Sequence, residues 1–173
     1  MKLLRALLAG LLLLLAPLVG GRALAIEPLP APTGEVILVI DGKLGASNRP
    51  DGKAAFDLAM LQALPKTSFT TTTIWTDGPQ TFEGVRIADL LARLGAAPAE
   101  INAVATNDYE IRFPASDATD NDGLIAYVAN GAPLPADNKG PLWIVYPYDR
   151  TASLQTERFL SQSVWGVDSI SLY

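Results

Sequence analysis

Apolar positions along the chain follow two periods, and the changes of period separate predicted strands from predicted helices. The run 35–40 is rich in β-branched residues and closes at Asp41-Gly42, which predicts a buried strand that ends in a turn. Apolar residues at 56, 59, 60 and 63 then share one face of a helix, which Pro65 ends. We therefore expect a strand and then a helix in this part of the chain.

The clearest helical pattern lies at 87–94. Apolar residues recur there at 87, 90, 91 and 94, and Gly95 suits the left-handed conformation of a C-terminal cap. The pattern puts Leu91 on the buried face and Arg93 on the exposed side. Replacing Arg93 by alanine is therefore expected to change the free energy of unfolding by at most about 0.5 kcal/mol.

The remaining apolar segments are short and lie between turn residues. They predict strands at 68–75, 101–106, 109–113, 124–128, 142–146 and 167–173, a last helix at 156–165, and a polar, acidic loop at 116–123. Strands outnumber helices, and strand and helix do not alternate regularly. The chain is therefore predicted to be α+β, with a mixed, mostly antiparallel sheet core and two to three helices.

The first 25 residues have the pattern of a secretory signal peptide. A basic start precedes an apolar run at 6–19, and small residues occupy 23 and 25. Gly10 and Pro17 interrupt that run, whereas a membrane anchor needs about 20 apolar residues. We expect cleavage after Ala25, export to the periplasm, a proline-rich arm at 26–34 and a single domain at 35–173. Arg5 stands alone, so the pattern is not the twin-arginine signal of proteins exported already folded.

Charge and composition narrow the function classes. Without the predicted leader, ten basic residues face eighteen acidic ones, a net charge of −8, which disfavours binding to nucleic acid or to anionic lipid. The chain contains no cysteine and no histidine. This excludes a thiolate nucleophile, a disulfide, a Cys/His zinc site and a Ser-His-Asp triad. A calcium loop around 117–123 would put Ala118 and Ala129 at ligand positions, so we interpret it as a solvated acidic loop.

Four motifs follow one another in a fixed order from about Leu61 to the C-terminus. They are an aromatic-x-Gly-Val element leading into a Leu-rich helix at 82–91, an Asn-Asp-Tyr segment at 107–109, an Ala-x-x-x-Asn-Gly-x-x-Leu turn at 126–134, and a Gly-Pro-Leu strand at 140–147. In this order and spacing the chain resembles the molybdopterin-binding domain of sulfite-oxidase-type oxidoreductases. The resemblance implies the fold of that domain and a molybdopterin-dependent redox activity.

The chain departs from that family where the family holds its metal. The family places a metal-binding cysteine after the strand that is here 70–74, whereas this chain continues with Trp75 and a turn to Gln80. Trp143 stands where the family usually carries arginine. Without a thiolate, molybdenum lacks its expected protein ligand, although Asp77 could supply an oxygen instead.

These departures favour a domain without metal or cofactor. We expect a non-catalytic accessory module that binds a small molecule or a periplasmic or membrane protein partner, and we assign no catalytic residue. The alternative is a periplasmic oxidoreductase that binds molybdopterin by noncovalent contacts, without a cysteine ligand. For ligand binding the sequence predicts that Trp75, Asp77, Tyr109 and Trp143 surround one concavity suited to a small planar ligand. For the two tryptophans, packing in the core is the alternative.

Overall fold

The computed structural model describes residues 26–173, so the predicted signal peptide lies outside the described residues. Fourteen regular elements follow one another along this part of the chain: β1 (Val36–Gly42), β2 (Ala54–Asp57), α1 (Leu58–Gln62), β3 (Lys66–Thr71), β4 (Gln80–Arg86), α2 (Ile87–Arg93), β5 (Glu100–Ala105), β6 (Glu110–Pro114), α3 (Ala115–Thr119), β7 (Leu124–Ala129), β8 (Ala132–Pro133), β9 (Trp143–Val145), α4 (Glu157–Ser161) and β10 (Val167–Leu172). Two 3₁₀ turns, Tyr148–Arg150 and Ala152–Gln155, lie between β9 and α4.

The strands form two sheets. The first has the order β2-β1-β10-β5-β6, and the second has the order β3-β4-β7-β8 with β9 also paired to β7. Strands β1 and β10 run parallel, and the other pairs are antiparallel. The predicted α+β class is confirmed, although residues 26–173 contain four short α-helices rather than two or three. No helix in this part of the chain is both long and apolar enough to cross a membrane.

Helix α2 forms where the apolar period predicted it. Ile87, Leu90 and Leu91 are buried, and Gly95 follows the helix with a φ of +58°. The preceding strand, β4, was not predicted separately. A Cβ at Gly84 would collide with the carbonyl oxygen of Ile125, so glycine lets β4 approach β7 closely.

Four predicted segments are wrong at their boundaries. The strand predicted at 68–75 ends at Thr71. Phe56 belongs to β2, and the first helix begins only after Asp57, whose carboxylate accepts a hydrogen bond from the backbone N–H of Met60. The stretch 116–123 is not a solvated loop throughout, since α3 occupies its start and buries Asp117. The last predicted helix shortens to α4, and the chain from 162 to 165 is not helical.

The proline-rich arm is held against the domain. Its Leu29 is buried, and the Nδ2 of Asn48 donates to the carbonyl of Pro30 at 2.7 Å. Arg93 is half-buried and donates to the carbonyls of Glu27 and Pro28, each at 2.9 Å. Arg93 lies outside the buried face of α2, as predicted, but its guanidinium holds the arm, so Arg93→Ala is no longer expected to be neutral.

Candidate functional site

A cavity of about 400 Å³ opens between three separate segments of the chain. They are the segment after β3 with Ile74 and Trp75, the turn between β5 and β6 with Asn107 and Tyr109, and the stretch from α4 to β10 with Glu157, Ser161 and Trp165. Such a volume falls in the range of about 300–1,000 Å³ that is typical of small-molecule pockets.

Each of the three segments forms one wall of the cavity. The first wall, the segment after β3, is fixed by short polar contacts. The hydroxyl of Thr73 accepts from the backbone N–H of Trp75 at 3.1 Å and shares a hydrogen bond of 2.8 Å with the hydroxyl of Thr76. Trp75 is half-buried, and its indole packs edge-on against that of Trp143. The segment therefore presents one indole to the cavity without regular secondary structure.

The second wall is tied to the third across the cavity. The Asn107 side chain accepts from the backbone N–H of Tyr109 at 3.1 Å, and Asp108 between them has a φ of +65°. Short polar residues tolerate this left-handed conformation better than most others. The phenol of Tyr109 donates to the carbonyl of Ser161 at 2.8 Å. The turn and α4 are thereby held at a set separation.

The third wall ends in an exposed indole. Trp165 is 40 % exposed, and its backbone forms an isolated bridge with Trp143. The backbone N–H of Thr106 donates to the carbonyl of Gly166 at 2.9 Å, which brings this wall beside the β5–β6 turn.

Buried polar side chains lie next to the residues that form the floor of the cavity. Ser163, which lines the floor, donates to the carbonyl of Phe159 at 2.8 Å and also bonds the phenol of Tyr148. Tyr146 donates to the side-chain oxygen of Gln162 at 3.0 Å. Burial raises the pKa of Tyr148 to about 12 and also raises that of Tyr146. Both phenols therefore keep their protons at neutral pH and act as structural hydrogen-bonding groups.

The cavity carries one negative charge and is otherwise apolar or neutral. Among the residues that line it, only Glu157 is charged at neutral pH. The neighbouring Arg158 turns away and donates to both carboxylate oxygens of Asp117, which also accepts from Gln162 at 2.7 Å. Hence no lining cation balances Glu157.

The structure brings two of the four predicted site residues to this cavity. Trp75 and Tyr109 line it. Trp143 lies behind Trp75, where it is 1 % exposed and packs against Phe82 with ring centroids 5.2 Å apart. Among residues 26–173 its indole nitrogen has no hydrogen-bond partner. Asp77 is exposed in the turn after Trp75 and does not line the cavity.

Sequence reasoning missed Glu157 and Trp165 as lining residues. Both fall in the stretch that the apolar pattern assigned to one continuous helix. The local sequence carried no signal against that helix, because Gly166 after residue 165 suits a helix C-terminal cap as well as a turn. Gly166 has a φ of +67°, as such a turn requires.

Comparison with protein families shows which family this chain belongs to. The model of the oxidoreductase molybdopterin binding domain matches residues 48–152, more than half of the chain. No curated protein matches the chain. The prediction of a domain without a cofactor is wrong, since the matched domain is a molybdopterin-binding one and points to a molybdopterin cofactor.

The residues of the cavity suit the ring system of that cofactor. Trp75, Tyr109 and Trp165 offer aromatic surfaces to the flat aminopyrimidinone part of its pterin, and Asn107 and Glu157 offer polar groups to the edges of that ring. The chain offers no cysteine or histidine as a ligand for the metal of the cofactor. Residues 26–173 also contain no group of three or more acidic side chains placed to hold a metal ion.

Proposed function

The chain belongs to the oxidoreductase molybdopterin-binding domain family, and on this premise we propose that it binds a pterin cofactor by noncovalent contacts alone. The binding site would be the cavity between Trp75, Tyr109 and Trp165. One observation carries the proposal. Three segments far apart in sequence each bring an aromatic side chain to the same cavity of about 400 Å³.

The residues that line the cavity would bind and orient the pterin ring. Trp75 is backed by the buried Trp143, so its indole is supported from behind and is costly to displace. Tyr109 is pinned by its hydrogen bond to Ser161, and this bond sets the width of the cavity. Aromatic surfaces attract flat heteroaromatic rings by dispersion and by electrostatic complementarity.

When bound, the cofactor would supply the redox chemistry, and the chain would supply position and shielding from water. Leu160 and Val164 line the floor, where they would exclude water from the face of the ring. We propose further that the domain acts in the periplasm, because residues 1–25 have the pattern of a secretory signal.

The test is a titration of residues 26–173 with pterin (2-amino-4-oxopteridine), followed by quenching of tryptophan fluorescence. We expect saturable quenching in the wild type. Trp75→Ala and Trp165→Ala should each weaken binding about tenfold or more, since one aromatic contact is removed from a small ligand. Tyr173→Ala is the matched control, because Tyr173 is exposed but does not line this cavity.

A second measurement addresses the cofactor itself. Protein purified from its own periplasm should release a fluorescent oxidised pterin on denaturation. Failure of pterin to quench, together with no releasable pterin, would contradict the proposal. Equal weakening by Tyr173→Ala and Trp75→Ala would show that the ligand sits elsewhere.

A further inference from the structure

We propose that Glu157 selects the ligand of this cavity by accepting two adjacent N–H groups from a 2-amino-4-oxopyrimidine edge. A pterin presents such an edge, formed by its 2-amino group and the neighbouring ring N–H. The inference rests on the proposed function and goes beyond it, because it assigns the orientation of the ring and the residue that discriminates between ring edges.

The Glu157 carboxylate is available for a ligand. Glu157 is exposed, lines the cavity and is the first residue of α4. Within residues 26–173 its carboxylate forms no side-chain hydrogen bond and no ion pair. The guanidinium of its sequence neighbour Arg158 is hydrogen-bonded to the carboxylate of Asp117. Although Arg158 is its sequence neighbour, the Glu157 carboxylate therefore has no ion pair with it.

The chemistry of the edge matches the chemistry of this side chain. An ionised carboxylate only accepts hydrogen bonds, and its two oxygens can receive two parallel N–H groups, as they do from arginine. The amino group and ring N–H of an aminopyrimidinone point the same way and form such a pair. The aromatic side chains around the cavity favour a flat ligand, so the ring can meet the carboxylate edge-on.

Asn107 adds a donor for the opposite kind of group. Its side-chain oxygen is used by the backbone N–H of Tyr109, which leaves the side-chain NH₂ free to donate to a ring acceptor such as the 4-oxo group. An acceptor on α4 and a donor on the β5–β6 turn thus lie on separate walls of one cavity.

The charge of Glu157 also fixes which end of a pterin cofactor enters. Glu157 is exposed, so water weakens its field, but like charges still repel, and a phosphate or a dithiolate would be disfavoured beside this carboxylate. The neutral aminopyrimidinone end should therefore face Glu157, and any anionic substituent should extend toward the mouth.

The experiment compares two ring ligands and two glutamate variants on residues 26–173. Lumazine has the pteridine ring of pterin but carries a carbonyl at position 2, so its oxygen would face the carboxylate in place of the amino group. We expect pterin to bind the wild type about tenfold or more tightly than lumazine does, because a hydrogen-bonding site rejects a ligand that leaves it unpaired. Fluorescence quenching gives both affinities.

The variants locate the discrimination. Glu157→Gln should weaken pterin binding about tenfold while changing lumazine binding less than about threefold, because the amide cannot accept from two donors. Glu35→Gln is the matched control, since Glu35 is exposed and lies outside the cavity. Both variants should keep the wild-type unfolding midpoint, which shows that the fold is intact.

The failures of the two proposals can be told apart. If pterin binds and Trp75→Ala weakens it, but Glu157→Gln does not and lumazine binds equally well, the role of Glu157 is refuted and the proposed function stands. If neither ring binds the wild type, both proposals fail together.

Discussion

The indole of Trp75 packs edge-on against the indole of Trp143, with ring centroids 5.9 Å apart and an interplanar angle of 71°. The two residues have different surroundings. Trp143 is buried in β9 against Phe82, whereas Trp75 is half-buried and faces the cavity. The wall of the candidate site is therefore continuous with the core, and the two roles can be separated by mutation.

Trp143→Ala should destabilise the domain more than Trp75→Ala does. Removing a fully buried indole leaves a large void and is expected to cost about 3–5 kcal/mol, whereas a half-buried wall residue should cost clearly less. Urea unfolding measures both free energies. If Trp75→Ala costs as much as Trp143→Ala, then Trp75 is a core residue, and its part in ligand binding loses its basis.

Leu90→Ala should cost about 2–5 kcal/mol, because Leu90 is 1 % exposed on the inner face of α2 and the substitution leaves a cavity. Ala92 lies exposed on the same helix, so Ala92→Ser is a matched surface change that should cost at most about 0.5 kcal/mol. Similar losses in urea unfolding would show that the buried face of α2 is assigned incorrectly.

Arg93→Ala should release the proline-rich arm. The guanidinium bonds the carbonyls of Glu27 and Pro28, and losing both bonds should lower the free energy of unfolding by about 0.5–1.5 kcal/mol. Hydrogen exchange and limited proteolysis of 26–34 should become faster. Arg93→Lys keeps the charge but not the two-pronged donor, so we expect it to restore the protection only in part. Unchanged proteolysis of the arm in Arg93→Ala would contradict this role.

Arg93 also illustrates how far the sequence alone could lead. Local periodicity placed α2 correctly, because burial of Leu90 and Leu91 depends on residues three and four apart. The partner of Arg93 is a stretch 65 residues away, and no local pattern reports such a contact. The same limit applies to the cavity, where Trp75 was found from a motif but the place of Glu157 depends on how α4 packs beside the β5–β6 turn.

The order of the four motifs indicated the protein family, which the period of the apolar residues could not do. The four segments named the family that the comparison supports, and the expected class followed from the count of strands. The inference from missing cysteine and histidine to a missing cofactor was wrong, since the matched family model points to a molybdopterin cofactor. The absence of a metal ligand does not by itself exclude binding of an organic ring. Aromatic walls and polar edges leave no fixed spacing in sequence, since they come from turns that only the folded chain brings together.

Asp117→Ala should destabilise the domain by about 1–3 kcal/mol. The Asp117 carboxylate is buried, and it accepts hydrogen bonds from Arg158 and from Gln162, which would lose a buried partner. Asp120→Ala is the control from the same acidic stretch. Asp120 is exposed, so its removal should change stability by at most about 0.5 kcal/mol. Equal effects would restore the interpretation of 116–123 as a solvated loop.

Asp57 should make stability depend on pH in the acidic range. The backbone N–H groups of Gly34, Met60 and Thr33 donate to its carboxylate, and these bonds lower the pKa of Asp57 below its ordinary value of 3.8. The Asp57 carboxylate therefore binds a proton less readily in the native state than in the unfolded state. This stabilisation is present above the pKa of Asp57 in the unfolded state and is lost as pH falls through its lower pKa in the native state.

Asp57→Asn should lower the free energy of unfolding at about pH 6 and flatten its further loss toward about pH 3, as urea unfolding at both pH values would measure. The same substitution frees two anchors of the arm, so proteolysis of 26–34 should speed up as it does in Arg93→Ala. An unchanged acid profile would mean that another carboxylate sets the acid stability of the domain.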